Sequence, residues 1–318
     1  MPDPAPSVYP SLNWLSVLTP LYPLVLGVPA AVACAAVYGL PAHAVVGLIV
    51  LTPVTGLAVT VGFHRYFTHR AFATSRPVEW ALMVCGAACG QAAPFSWVAT
   101  HRKHHRLTER GDDPHSPHVH ACGALGTLRG FWHAHVGWTW GGFAYSPDDV
   151  RDLLRRPDLV WIDRYWYAWY FAGLALPALA GYLVGGTAYD ALIGFLWGGL
   201  LRHAITEQAT NAVNSVCHLW GSRPYPRGDE SRNNALIGFT SFGEGWHNNH
   251  HAHPYSARHG FYWWQLDAGW WLIWGLERAG LVWNVKRPKI ARPPAAVAAP
   301  ESPASLADAR QLPQLPAG

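Results

Sequence analysis

Two uncharged stretches, Trp14–Tyr38 and Ala44–Phe63, restrict the folds open to this chain more than any other feature. Each reaches the ~20 residues that a helix needs to cross a bilayer, and only Gly39–His43 separates them. In lipid every backbone amide must find its partner within the protein, so such stretches become helices and a short break between two of them becomes a hairpin. A second pair follows at about Tyr165–Gly186 and Tyr189–Ala209, joined around Gly185-Gly186-Thr187. The last span carries Arg202, His203 and Glu207, so it must leave the lipid or face protein there. The expected fold is an all-α integral membrane protein: four transmembrane helices in two hairpins, and a helical cap formed by residues 64–164 and 210–291.

Composition agrees with a membrane setting. Half of the residues are apolar and 13% are charged, about half the charged share of soluble domains. The 18 Trp and 13 Tyr are of the type that gathers at the water–lipid boundary. A net charge of +4 without a long basic run argues against nucleic-acid binding. The cysteines (Cys34, Cys85, Cys89, Cys122 and Cys217) are scattered and odd in number, so they read as small apolar residues.

Two hairpins return the chain to its starting side. The shared side carries Arg65, Arg70, Arg76, Arg102, Lys103, Arg106 and Arg110, whereas the hairpin turns carry no Lys or Arg. The positive-inside rule makes that side, with both termini, cytoplasmic. The apolar segment Val78–Val98 would be a fifth span by composition. Because a fifth crossing would part the histidine clusters, it reads as a re-entrant or cap-buried helix. Residues 14–291 form one membrane domain, residues 1–13 an irregular N-terminus, and the Pro/Ala-rich 292–318 a disordered tail. The opening Met-Pro-Asp-Pro lacks a basic n-region, so no cleavable signal is expected.

Three clusters lie just beyond apolar stretches: His64-x4-His69, His101-x2-His104-His105 and His247-x2-His250-His251. Neutral imidazole offers a metal a lone pair without a charge. Eight clustered histidines are too many for one ion of about four to six ligands and about right for two. His101, His104 and His105 stand at i, i+3 and i+4, which puts them on one helix face, and His247, His250 and His251 repeat the spacing. His64 and His69 are five apart, roughly 140° around an α-helix, so they should approach the metals from different turns. His218, four residues past Asn214, is a further candidate. Imidazole-rich ligation suits iron, copper or zinc, and the residues alone stop there.

These boxes, in this order around two hairpins, resemble the integral-membrane fatty-acyl desaturases of the stearoyl-CoA Δ9 type. The resemblance covers nearly all of residues 44–265, including Gly62-Phe-His-Arg65, Asp113-Pro114-His115, Val213-Asn-Ser-Val-Cys-His218 and Gly243-Glu-Gly-Trp-His247. It implies a di-iron centre on His64, His69, His101, His104, His105, His218, His247, His250 and His251, with Asn214 reaching one iron through water. It also implies that Gln91, Trp97 and Thr210 enclose a bend in the acyl tunnel. The expected activity is O2-dependent insertion of a cis double bond near the middle of a long saturated chain. Electrons would come from a separate ferredoxin or cytochrome b5-like protein with its reductase.

Glu244, Asp112 and Asp113 are candidate partners for the ligand imidazoles. His115, His118, His120, His133, His135, His253 and His259 are expected in hydrogen-bonding or surface roles in the cap, His43 solvated at a far turn, and His203 as a satisfied buried imidazole. Of the residues that contact coenzyme A in the animal enzymes, an Arg-Asp pair is replaced by Ala99-Thr100, an Arg-Lys pair is replaced near Thr139-Trp-Gly-Gly142, and a tryptophan is replaced by Asn211. Acyl-CoA and acyl-lipid therefore both stand as substrates. Three rival readings remain: a hydroxylase or ketolase on the same scaffold, a metal transporter, and a zinc protease. A transporter should place ionisable groups at mid-membrane, and the first two spans have none. The protease should show H-E-x-x-H, which is absent.

Overall fold

The computed structural model describes residues 18–118, 123–141, 145–226 and 228–289. Helix α1 is Pro23–Tyr38 and α2 is Ala42–Thr68. They are followed by α3 (Arg76–Ala87), α4 (Pro94–Leu107), α5 (Ala124–His135), α6 (Pro157–Arg164) and α7 (Trp166–Gly185). Helix α8 runs without a break through Ala188–Gly194, Phe195–Leu201 and Arg202–Leu219. Three short helices close the cap: α9 (Ala235–Thr240), α10 (His247–Ala252) and α11 (Ala268–Arg278). A two-residue antiparallel ladder pairs Ala73 with Trp283 and Thr74 with Val282.

Among the described residues, α2 with 27 residues and α7 with 20 are long and apolar enough to cross a membrane, and α1 is a shorter apolar helix. Their outer faces are greasy: Val37, Leu183 and Val184 are at least 70% exposed. Such faces suit lipid, since water would drive them together. Helix α8 packs against α1, α2 and α7. Its approach to α7 is close because Gly181 and Gly194 have no side chain. A Cβ on Gly181 would lie 2.2 Å from the Asp190 carbonyl oxygen, and one on Gly194 2.4 Å from that of Pro177. The start of α8 is fixed by a capping box between Thr187 and Asp190.

The charged residues of α8 face protein: Arg202 and His203 are fully buried and Glu207 nearly so. Arg202 spends its donors on Gly198, Ala88 and Gly173 carbonyls and on Thr55 Oγ1. Beyond their apolar halves, α2 and α8 run on, to Thr68 and Leu219, and so carry His64 and His218 on the same rods.

The expected single helix over 78–98 is two. The chain breaks between α3 and α4 at Gly90 (φ 87°) and Ala92 (φ 68°). A side chain at Gly90 would collide with Tyr170 and His203, so the backbone passes flush against α7 and α8 where an unbroken helix has no room. Both halves pack on α2, around a core of Phe63, Phe67, Met83, Phe95, Leu159 and Ile273. Residues 14–17 of the expected first span, His120, and both terminal segments lie outside the described residues.

Candidate metal centre

The last turns of α2 depart from α-helical geometry. From Ala58 to Thr68 the helix is of the wide π type, and the His69 amide donates to the His64 carbonyl five residues back, at 3.2 Å. A turn closed by i→i+5 bonds holds about one residue more than an α turn. His69 therefore stands roughly one turn above His64, with ring centroids 4.9 Å apart. The expected 140° separation does not occur.

The ligand atoms of His64, His69, His101, His105 and His250 lie within 4.8 Å of one another, and those of His104, His218, His247 and His251 form a second such group. The two H-x2-H-H boxes divide rather than presenting one face each. Helix α4 directs His101 and His105 to the first group and His104 to the second; α10 directs His247 and His251 to the second and His250 to the first. In an α-helix i and i+4 nearly superpose while i+3 lies on the other side of that line. One helix set between two sites therefore serves both.

Metal fits this donor set. In the first group His64 Nε2 meets His250 Nε2 at 3.1 Å, His250 Nε2 meets His105 Nε2 at 2.9 Å, and His105 Nε2 meets His101 Nε2 at 3.0 Å. A ring nitrogen carries one hydrogen or one lone pair, never both, so His250 Nε2 cannot serve two neighbours. Lone pairs converging on a shared cation remove the conflict, and a 2.1 Å metal–nitrogen shell spans about 4.2 Å. In the second group His218 Nε2 and His247 Nε2 are 3.0 Å apart. The buried Nε2 atoms of His69, His104 and His251 have no hydrogen-bond partner. Burial first, and neighbouring imidazoles next, hold His104, His247 and His250 well below the usual imidazole range. They are neutral at pH 7, the form that ligates.

Carboxylates behind the rings fix which nitrogen points inward. Glu244 accepts from His64 Nδ1 at 2.5 Å, Asp113 from His104 Nδ1 at 2.9 Å, Glu109 from His218 Nδ1 at 3.1 Å, and Asp229 from His251 Nδ1 at 3.2 Å. With Nδ1 donating, each Nε2 presents its lone pair to the cluster. Glu244 also receives Arg65 Nη2 at 3.0 Å, and Asp267 receives the same nitrogen at 2.8 Å. That buried guanidinium ties the end of α2 to the loop before α10 and to the start of α11.

Several sequence expectations shift here. Asp112 is an exposed carboxylate, whereas Asp113 is buried against His104. Glu109 and Asp229 were not foreseen. Neither stands at a fixed spacing from the imidazole it serves, so no local signal could have found them. His115 is buried with its ring 4.3 Å from that of His104, and His259 is buried 3.2 Å from Glu244; the nine-histidine pattern includes neither. His135 bonds Ser215 and Gln208, and His118 the His218 carbonyl. His43 is half-buried near Asp190 instead of solvated. His203 bonds Tyr170 through Nδ1, but its Nε2 has no partner.

Two cavities flank the cluster and share the walls Trp97, Thr210 and Asn214. The first also touches Gln91, His101 and His115; the second is more apolar, with Gly56, Val59, Val213 and Phe242, and touches His64. Where they meet, Gln91 donates to Thr210 Oγ1 at 2.8 Å and Trp97 Nε1 to Gln91 Oε1 at 3.3 Å. The three residues that the resemblance grouped are thus one hydrogen-bonded unit.

Comparison with known proteins points the same way. A model of the family described as fatty acid desaturase matches residues 39–286. The chain is 39% identical over 239 residues to the hex-5-enoyl-(acyl-carrier protein) acetylenase of Moorena producens (strain JHB), covering 73% of each chain. It is 36% identical over 287 residues to the sn-1 stearoyl-lipid 9-desaturase of Anabaena variabilis, covering 89% of this chain and 97% of the relative. With the icosanoyl-CoA 5-desaturase of Limnanthes douglasii it shares 37% identity over 238 residues, 73% of this chain and 62% of that protein's length. A buried cage of imidazoles beside two adjoining cavities, carried on a sequence matched along most of its length, belongs to an oxidoreductase of acyl chains, and the chain is a member of the fatty acid desaturase family.

Proposed function

We propose that the chain is an O2-dependent di-iron desaturase that inserts a cis double bond near the middle, at Δ9, of a long saturated acyl chain held as acyl-CoA or in a membrane lipid. The observation that carries this reading is the division of nine imidazoles into two groups, each with donor atoms within 4.8 Å. One iron is assigned to His64, His69, His101, His105 and His250. The other is assigned to His104, His218, His247 and His251. That second set is one donor shorter, and Asn214, one helical turn before His218 and on both cavity walls, completes it through water. When bound, the irons would supply the O2-derived oxidising power that takes hydrogen from two neighbouring methylenes, which no side chain can do.

The residues of the chain supply position and dryness. The acyl chain lies through both cavities and turns where Gln91, Trp97 and Thr210 meet, so two chosen carbons sit against the cluster while the rest is held away. The apolar second cavity takes the distal part of the chain. Glu244, Asp113, Glu109 and Asp229 keep the imidazole lone pairs inward. Electrons arrive from a separate donor protein, ferredoxin or cytochrome b5-like with its reductase.

In the membrane, α1, α2, α7 and α8 form four spans in two hairpins, with the centre and both termini cytoplasmic. Residues 64–164 and 210–291 cap the site in a single domain of residues 14–291. Expression in a host lacking monounsaturated fatty acids, with double bonds mapped by mass spectrometry and iron counted in the purified protein, tests the proposal. Two irons per chain and a product two mass units lighter are expected. A product sixteen units heavier would instead mark a hydroxylase.

A further inference from the structure

Glu207 is the least explained residue on the cavity walls. It sits on α8 seven residues before Asn214, about 10 Å along the helix axis, and lines the first cavity together with Thr19, Gln91, Thr139 and Asn211. It is 5% exposed. Asn211 Nδ2 reaches Oε1 at a long 3.4 Å, while Oε2 is buried and has no partner. Among the described residues no ion pair is made to it. A buried carboxyl oxygen left without a partner is destabilising. Such a group persists inside a membrane protein mainly where function uses it.

The walls around it are more polar than those of the second cavity, although Thr210 and Asn214 line both. Plain methylenes lying here would leave this oxygen unsatisfied, whereas a substrate bearing a hydrogen-bond donor would satisfy it. The cavity shares Thr100 and Trp138 with a wider groove carrying Lys103, Arg106 and His133.

Resting on the desaturase reading above, we propose that Glu207 is a specificity-determining residue whose free carboxyl oxygen receives an O–H or N–H donor on the substrate segment that leads to the metal centre. The donor has two possible sources: the carrier, through an amide N–H near the ester or thioester, or a hydroxyl on the acyl chain itself. In either case a plain alkyl ester is a poorer ligand than its donor-bearing counterpart.

The test uses the purified iron-loaded protein in nanodiscs and two matched probe pairs, with binding read from tryptophan quenching. The first pair is the stearoyl thioester of N-acetylcysteamine, which carries an amide N–H, against stearoyl n-pentyl thioester, which does not. The second is 3-hydroxystearoyl methyl ester against stearoyl methyl ester. About tenfold tighter binding of the donor-bearing member is expected in one pair, as one satisfied buried hydrogen bond would give. A preference in the first pair assigns the donor to the carrier, and in the second to the chain.

Glu207→Leu should abolish the preference, and Glu207→Gln, which keeps volume and an acceptor oxygen, should retain part of it. Equal binding within both pairs of the wild-type protein overturns the proposal, without recourse to any variant. So does a preference that survives Glu207→Leu. Iron content and double-bond formation are measured on the same preparation, so failure of the desaturase reading appears there and not in the binding ratio.

Discussion

Gln91 Nε2 donates to Thr210 Oγ1 at 2.8 Å, which fastens the break between α3 and α4 to the cavity-lining side of α8. The Gln91 carbonyl oxygen in turn receives Trp97 Nε1, so a residue at positive φ (Ala92) and a proline-started helix are both held by one amide.

Thr210→Val removes the acceptor while keeping the shape of the side chain. It should cost about 1 kcal/mol of stability and let the acyl chain slide at the bend. The expected product is a mixture of double-bond positions where the parent forms one, read by mass spectrometry of derivatised fatty acids. A single unchanged position would remove Thr210 from the bend.

Glu244→Gln should weaken iron retention about 10–100-fold, the usual effect of losing a partner behind a ligating histidine. Glutamine leaves one uncharged oxygen where the carboxylate offered two, so His64 and Arg65 compete for it and the tautomer of His64 is no longer held by a charged acceptor, although Arg65 keeps Asp267. Iron remaining after timed dialysis against a chelator measures the effect, and Asp112→Asn, an exposed site, serves as the control that should behave like the parent.

The division of the boxes makes a stoichiometric prediction. His250→Ala and His104→Ala should each lower bound iron from two to about one per chain and abolish product, because each thins a different group. Full iron content and activity in either variant would contradict the ligand assignment.

Acid should unfold the iron-free protein. His104, His247 and His250 have folded-state pKa values well below the ordinary ~6.5. Below pH 6.5 the unfolded chain binds protons that the folded chain refuses, so stability falls as pH falls, and is unaffected by these groups above that value. Each such imidazole contributes up to about 1.4 kcal/mol per pH unit in that window. Denaturation midpoints measured from pH 8 to pH 5 should be flat and then drop steeply. Iron should be released over the same range, since protons and metal compete for one lone pair.

Much of this was legible in the residues. Uncharged runs announced the helices α2 and α7 because lipid leaves the backbone no alternative. Histidine spacing announced that each H-x2-H-H box is carried on a helix near the metals, but not that i and i+4 would serve one group and i+3 the other. The α3–α4 break was not legible, because Gly90 and Ala92 sit in an apolar stretch whose composition suits a helix; the crowding by Tyr170 and His203 that forces the break comes from residues distant in the chain. The π turns ending α2 were hidden likewise, as the same residues would also make an α-helix.

The sequence by itself determined the kind of protein this is: apolar rods, nine imidazoles in three boxes and one helix end, and a family pattern along residues 39–286. Only the tertiary structure decided how those imidazoles divide, that Glu109 and Asp229 stand behind two of them, and that Glu207 opens onto the first cavity with an oxygen to spare. Spacing along a helix fixes the angle between side chains but not what lies opposite them. Which carboxylate meets which ring depends on contacts between segments as far apart as Glu109 and His218.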